Sequence, residues 1–190
     1  MSTAPPPPRV SPRVVVAEDE AIIRLDLCEL LAEEGYEVVG ETGRGDEVED
    51  LVRALEPDLA ILDVKMPGLD GLSAARRLNA ERLTAVIILT AFSQRDLIEE
   101  ARDAGVQAYL VKPFQRAELV AAIEMALGRH RDLRSLEDQL LARKVIDRAK
   151  AKVIARDGLT EGEAFKLLQR RAMDGRTSMR AIAETVLGEP

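Results

Sequence analysis

Tryptophan is absent from this chain of 190 residues, and aromatic residues make up only 3% of it. A nucleic-acid surface built here can therefore draw little on base stacking and must lean on Lys and Arg. Cysteine is nearly absent too: Cys28 stands alone, so no intrachain disulfide can form and a reducing, cytoplasmic setting is the natural expectation. Cys28 falls among Ile23, Leu27, Leu30 and Leu31 on an apolar helix face, which reads as a buried structural thiol. The opening stretch Met1 to Pro12 lacks any apolar run and holds five of the nine prolines, so it is expected to be a disordered tail and neither a secretory signal nor a membrane anchor.

What is present is ordinary for a globular protein, with 46% hydrophobic and 32% charged residues. The length leaves room for one domain of about 100 to 150 residues and a smaller appendage. Charge is divided unequally between them. Residues 13–130 carry 13 Lys and Arg against 24 Asp and Glu, a balance of −11, while residues 131–190 carry 13 against 10, a balance of +3. A polyanionic partner therefore belongs with the second part.

The first part alternates short β-branched runs with amphipathic stretches of helical length, the pattern of βαβ units around a doubly wound parallel sheet. Strands are expected at 13–17, 37–40, 58–62, 85–90 and 107–111, and helices at 20–34, 46–55, 71–80, 94–104 and 115–129. From Arg116 the helical pattern runs on, with Gly128 its one weak point, through Leu133, Leu136 and Leu140 into Val145, Ile146 and Ala149, so one long helix or two nearly continuous ones are expected to join the domains. The three leucines are too few for a sustained coiled coil and are expected to pack within the chain. Three helices follow in the last segment. Val145, Ile146, Ala149 and Val153 form the apolar face of the first; Thr160 to Glu163 makes a capping box for the second; Thr177 or Ser178 caps the third. The expected division is a tail at 1–12, a first domain at 13–129, a connecting helix at 130–142 and a small all-α domain at 143–190.

Chemistry gathers at the strand ends. Glu18 and Asp19 follow the first strand, Asp63 closes the third, Thr90 the fourth, and Lys112 follows the fifth. In a doubly wound sheet that rim is where ligands bind. Three carboxylates in one pocket repel unless a cation offsets them, and hard oxygen donors that must admit phosphate point to Mg²⁺, with Lys112 as a fixed positive charge. Asp63 would then attack phosphorus to give an acyl phosphate, Thr90 would donate its hydroxyl to the new group, and the ring of Tyr109 would turn into the space vacated.

The runs Ala17-Glu18-Asp19-Glu20, Leu62-Asp63-Val64-Lys65-Met66-Pro67-Gly68-Leu69-Asp70-Gly71, Leu89-Thr90-Ala91 and Val111-Lys112-Pro113-Phe114 resemble those of response-regulator receiver domains. That resemblance implies a flavodoxin-like fold with strand order 2-1-3-4-5 and a sensor histidine kinase as phosphate donor. It implies Mg²⁺ held by Asp19, Asp63 and the Lys65 carbonyl, with Glu18 in place of a more usual Asp, and a cis Lys112–Pro113 bond. It also implies a signalling protein that is not a dedicated enzyme.

In the last segment Lys144, Arg148, Lys152 and Arg156 recur at steps of four along one stripe, which on its own is an ordinary solvated helix face. The runs Ile146-Asp147-Arg148-Ala149-Lys150, Gly158-Leu159-Thr160-Glu161-Gly162-Glu163-Ala164-Phe165, Leu168-Gln169-Arg170-Arg171-Ala172-Met173 and Ile182-Ala183, however, resemble the ANTAR domain of antitermination regulators, with Ala151-Lys152 where that family usually has Gly. The resemblance implies binding of stem-loop RNA in nascent transcripts. Arg148, Lys150, Lys152, Arg170 and Arg171 are the RNA candidates, and Ala164, Phe165, Leu168, Ala172 and Met173 are expected in the core. Two rivals stand beside this reading: a DNA-binding regulator, and a helical module for protein docking or homodimerisation on activation, which the three leucines favour.

Overall fold

The computed structural model describes residues 11–91 and 95–189, and the side chains of 95–98 are not considered. The expected tail lies outside the described residues up to position 10, whereas the carbonyl of Pro12 already accepts the amide of Glu37 at 2.9 Å. The chain divides into two compact bodies, the first reaching Arg131 and the second starting at Asp132.

Five parallel strands form the sheet of the first body: β1 Arg13–Ala17, β2 Glu37–Thr42, β3 Leu59–Asp63, β4 Ala85–Thr90 and β5 Ala108–Val111, in the order β2-β1-β3-β4-β5. Successive side chains point to opposite faces, so a fully apolar strand serves two cores. Val14, Val16, Leu59, Ile61, Ile87 and Leu89 pack on one face with Leu27, Leu31, Leu119 and Ile123. Val15, Ala17, Ala60, Leu62, Val86 and Ile88 pack on the other with Val52, Leu72, Ala75 and Leu78. The covering helices are α1 Ala21–Glu33, α2 Val48–Leu55, α3 Gly71–Ala80, α4 Arg95–Asp103 and α5, which begins at Arg116.

The end of β2 and the start of α2 differ from the sequence reading. β2 runs on to Thr42, whose carbonyl holds the amide of Glu18 at 3.0 Å, and a 3₁₀ turn at Gly45–Glu47 delays α2 to Val48. Of the two forms expected for the connection, the structure has the single helix: α5 is Arg116–Asp157 and passes through Gly128 without a stop. A glycine there weakens the helix by about 1 kcal/mol, less than the burial of Leu119, Ile123 and Ala126 contributes.

The second body holds the rest of α5 with α6 Glu161–Asp174 and α7 Met179–Gly188. Ala149 and Val153 of α5, Ala164 and Leu168 of α6, and Ala183 and Val186 of α7 make its core. Thr160 caps α6 with the expected capping box, its hydroxyl accepting the Glu163 amide while the Glu163 carboxylate accepts the Thr160 amide at 2.9 Å. Ser178, and not Thr177, caps α7. Leu133, Leu136 and Leu140 are exposed, against the expectation that they pack within the chain.

Candidate functional site

The strand order reverses between β1 and β3, so the residues after β1 and at the end of β3 become neighbours. Pairing of Ala17 with Leu62, Asp63 with Leu89 and Thr90 with Val111 levels the strand ends and brings Glu18, Asp19, Asp63, Thr90 and Lys112 to one rim. Carboxylate oxygens of Glu18, Asp19 and Asp63 lie within 4.8 Å of one another. Glu18 is 1% exposed, Asp63 is buried and Asp19 faces solvent. The Lys112 ammonium bridges the two buried acids, meeting Asp63 Oδ1 at 2.6 Å and Glu18 Oε2 in a still closer contact. Asp63 Oδ2 accepts the backbone amide of Lys65 at 2.7 Å, which holds that residue's backbone against the same acidic group.

Burial pushes the Glu18 carboxyl above the usual carboxylate range, only partly offset by Lys112. Burial pulls the Lys112 ammonium the other way, but its bonds to Asp63 and Glu18 outweigh this and hold its proton more firmly than in water. Thr90 is buried at the end of β4, and Tyr109 is half-buried in β5 opposite Ile88. Thr90 and Ile88 share a face of β4, and Tyr109 packs with Ile88 in the same core, so hydroxyl and ring lie on one side of the sheet. The Lys112–Pro113 bond is cis.

Backbone closeness shapes the next loop. Gly71 donates its amide to the Val64 carbonyl at 2.9 Å, and a Cβ on it would lie 1.9 Å from the Asp63 carbonyl oxygen. Only glycine lets α3 begin against the residue that closes β3. Asp70 caps α3 by accepting the Ser73 amide and hydroxyl at 2.8 and 2.6 Å; despite partial burial, these bonds hold its carboxyl below the usual range. An open cleft beside the acids is lined by Asp19, Lys65, Met66, Asp70 and Arg76.

In the second body the cationic stripe is not uniformly open. Lys152 donates its ammonium to the carbonyls of Leu187 and Glu189, which ties it to the end of α7. Lys150 pairs with Asp147 and Glu161 at 2.8 and 3.0 Å, Arg171 with Glu189 at 3.3 Å, and Arg156 with Asp157 and Glu189. Arg148 and Arg170 are exposed and have no ion pair among the described residues. Ala164, Leu168 and Ala172 are buried as expected, but Phe165 and Met173 are 42% and 72% exposed. Their positions flank the buried seam of α6 instead of lying in it.

Residues 14–124 match the response regulator receiver domain, and residues 134–187 match the ANTAR domain. The chain belongs to the response-regulator family. Among relatives of this regulator, the transcriptional regulatory protein PdtaR of Mycobacterium tuberculosis is 52% identical over 182 residues, 92% of this chain and 89% of that one. The chemotaxis protein CheY of Thermotoga maritima is 32% identical over 112 residues, covering 58% of this chain and 93% of its own. Among solved structures, a DNA-binding response regulator of the LuxR family from Staphylococcus aureus superposes with a TM-score of 0.59 at 30% identity, over 61% of this chain and 98% of that one. The BeF3-activated N-terminal receiver domain of Klebsiella pneumoniae RstA gives 0.58 at 26%, over 60% and 97%. The regulator is thus a two-component response regulator with an ANTAR output, and no helix among its described residues is long and apolar enough to cross a membrane.

Sequence reasoning missed one residue of the regulator's acidic rim. Arg24, in α1, donates through Nη1 to the Glu18 carbonyl at 2.5 Å while its Nε faces Glu41 at 3.3 Å, so it braces the loop that presents Glu18 and Asp19. An Arg six residues after an acid carries no local signal of that contact.

Proposed function

We propose that the regulator accepts a phosphoryl group on Asp63 from a phosphohistidine of a sensor kinase in the cytoplasm. The charge gained there governs whether its ANTAR body binds stem-loop RNA and so prevents a terminator hairpin from forming. The observation that carries the first half is the ammonium of Lys112 bridging Asp63 and Glu18 beside the exposed carboxylate of Asp19. An Asp63 carboxylate oxygen attacks phosphorus, the P–O bond forms as the P–N bond to the imidazole breaks, and the imidazole leaves with a proton from solvent. Lys112 keeps its proton and shifts from the carboxylates to the phosphoryl oxygens. Thr90, on the adjacent strand end, donates its hydroxyl to them, and the ring of Tyr109 moves on the same face of the sheet.

The donor set fits Mg²⁺: hard carboxylate oxygens of Glu18, Asp19 and Asp63 lie within 4.8 Å, and the Lys65 carbonyl would be a further donor by the family resemblance. Bound there, Mg²⁺ supplies positive charge to the phosphoryl oxygens. The second half rests on the ANTAR match and on the +3 balance of residues 131–190. Arg148 and Arg170 are its open phosphate contacts; Lys150 and Arg171 contribute only if their pairs open, and Lys152 serves as a fold contact.

Acetyl phosphate with Mg²⁺ is expected to shift the protein on a phosphate-affinity gel, Asp63→Asn is expected not to shift, and only the shifted form is expected to bind tandem stem-loop RNA over matching duplex DNA. Equal binding by both forms, or preference for DNA, would overturn the proposal. A second reading, homodimerisation on activation, is favoured by the exposed Leu133, Leu136 and Leu140 on one stretch of α5. Light scattering before and after phosphorylation tests it, with an unchanged mass counting against it.

A further inference from the structure

Phe165 is the only aromatic residue between positions 132 and 190, and the fold leaves it at the surface. Ala164, Leu168 and Ala172 form the seam that α6 buries, which fixes the rotation of the helix. At about 100° per residue, one arc that starts beside the seam at Phe165 and runs round the helix to Arg170 carries Gly162, Phe165, Lys166, Gln169, Arg170 and Met173. All six are exposed; Glu161 lies on the seam side of Phe165, and Glu163 and Asp174 border the arc beyond Arg170. One solvent-facing strip thus combines an aromatic ring, a flexible thioether, an amide and two cations.

We infer that this strip is where unpaired RNA bases are held, the ring of Phe165 stacking on a loop base while Lys166 and Arg170 meet the neighbouring phosphates. The inference rests on the RNA-binding reading above. Sequence-specific RNA recognition takes splayed loop bases onto aromatic or Arg planes and reads their edges with polar side chains, a role open to Gln169. Met173 adapts its unbranched chain to whichever base edge lies beside the ring. Covering Phe165 and Met173 removes apolar surface from water, and the cations beside them suit a polyanion. A second copy of the chain suits them poorly, because a two-fold contact would set Lys166 and Arg170 against their own counterparts.

The test uses the full-length phosphorylated protein and a library of tandem stem-loop RNAs with randomised loops, read by fluorescence anisotropy, with circular dichroism melts as a fold control. Phe165→Leu is expected to weaken binding about ten- to a hundredfold at unchanged melting temperature and unchanged salt slope, and Phe165→Trp to restore it. Arg170→Gln is expected to reduce the salt slope by about one. Selection of no RNA by the parent protein would overturn the RNA reading itself. Selection of RNA by the parent with Phe165→Leu binding equally well would overturn this inference alone, as would a loss of self-association by Phe165→Leu with RNA binding intact.

Discussion

Removing the ammonium of Lys112 isolates two buried carboxylates, and the size of the penalty follows from what remains. In Lys112→Met the side-chain length is kept and the charge is lost. Among the described residues Asp63 retains the Lys65 amide at 2.7 Å, while Glu18 retains only the Glu20 amide at 3.4 Å. Breaking a buried ion pair by deleting one partner costs about 3–5 kcal/mol. An upper bound comes from protonation: neutralising a carboxyl of ordinary pKa 4.5 at pH 7 costs roughly 3.4 kcal/mol at about 1.36 per unit, and Glu18 already sits above that value, which lowers the bound. The exposed Asp19 edge also admits water. The expected loss is therefore about 2–3 kcal/mol in metal-free buffer, a drop in urea midpoint of about 1–1.5 M for a slope near 2 kcal/mol per M. Urea unfolding in EDTA at pH 7, followed by circular dichroism, measures it. Adding Glu18→Gln to Lys112→Met is expected to recover most of the loss, since it removes the repulsion. A Lys112→Met protein as stable as the parent would refute the view that this ammonium compensates Glu18 and Asp63.

Gly71→Ala would place a methyl 1.9 Å from the Asp63 carbonyl oxygen, and backbone on both sides cannot yield easily; an expected loss of about 2–3 kcal/mol with slower phosphorylation is checked by urea unfolding and acetyl-phosphate kinetics, and parent-like values for both would contradict the close approach. Burial, with Glu41 beside it, raises the Cys28 thiol to about 11 from an ordinary 9.0, so iodoacetamide should label the native protein far more slowly at pH 8 than the urea-unfolded chain. The unfolded chain releases that proton first, so the stability present below pH 9 is expected to drain between about pH 9 and 11, measurable as a falling urea midpoint. Lys152→Met and Arg148→Gln should separate fold from function: the first is expected to lower the melting temperature through loss of its bonds to the Leu187 and Glu189 carbonyls, the second to weaken RNA binding and its salt dependence at unchanged melting temperature.

Local pattern by itself determined the sheet and its rim. Apolar runs of four to six residues, alternating with helical stretches and ended by acid, hydroxyl or amine, fit the buried strands of a parallel sheet, which puts all those ends on one edge, so the gathering of Asp63, Glu18, Asp19, Thr90 and Lys112 was legible from the sequence. The Thr160 capping box was legible for the same reason, because its bonds join residues three apart. Contacts between distant segments were not: Arg24 bracing the Glu18 carbonyl, Gly71 against Asp63, and Lys152 bonded to the end of α7 depend on where other elements arrive. Helical phase was the other gap. Phe165 and Met173 look like core residues by hydrophobicity, yet the buried seam runs through Ala164, Leu168 and Ala172. Ala164 and Leu168 pack there with Ala149 and Val153 of α5 and Ala183 and Val186 of α7, and Phe165 and Met173 are left to solvent. Tertiary packing alone therefore decided which cations of the second body stay open and which apolar groups face the solvent.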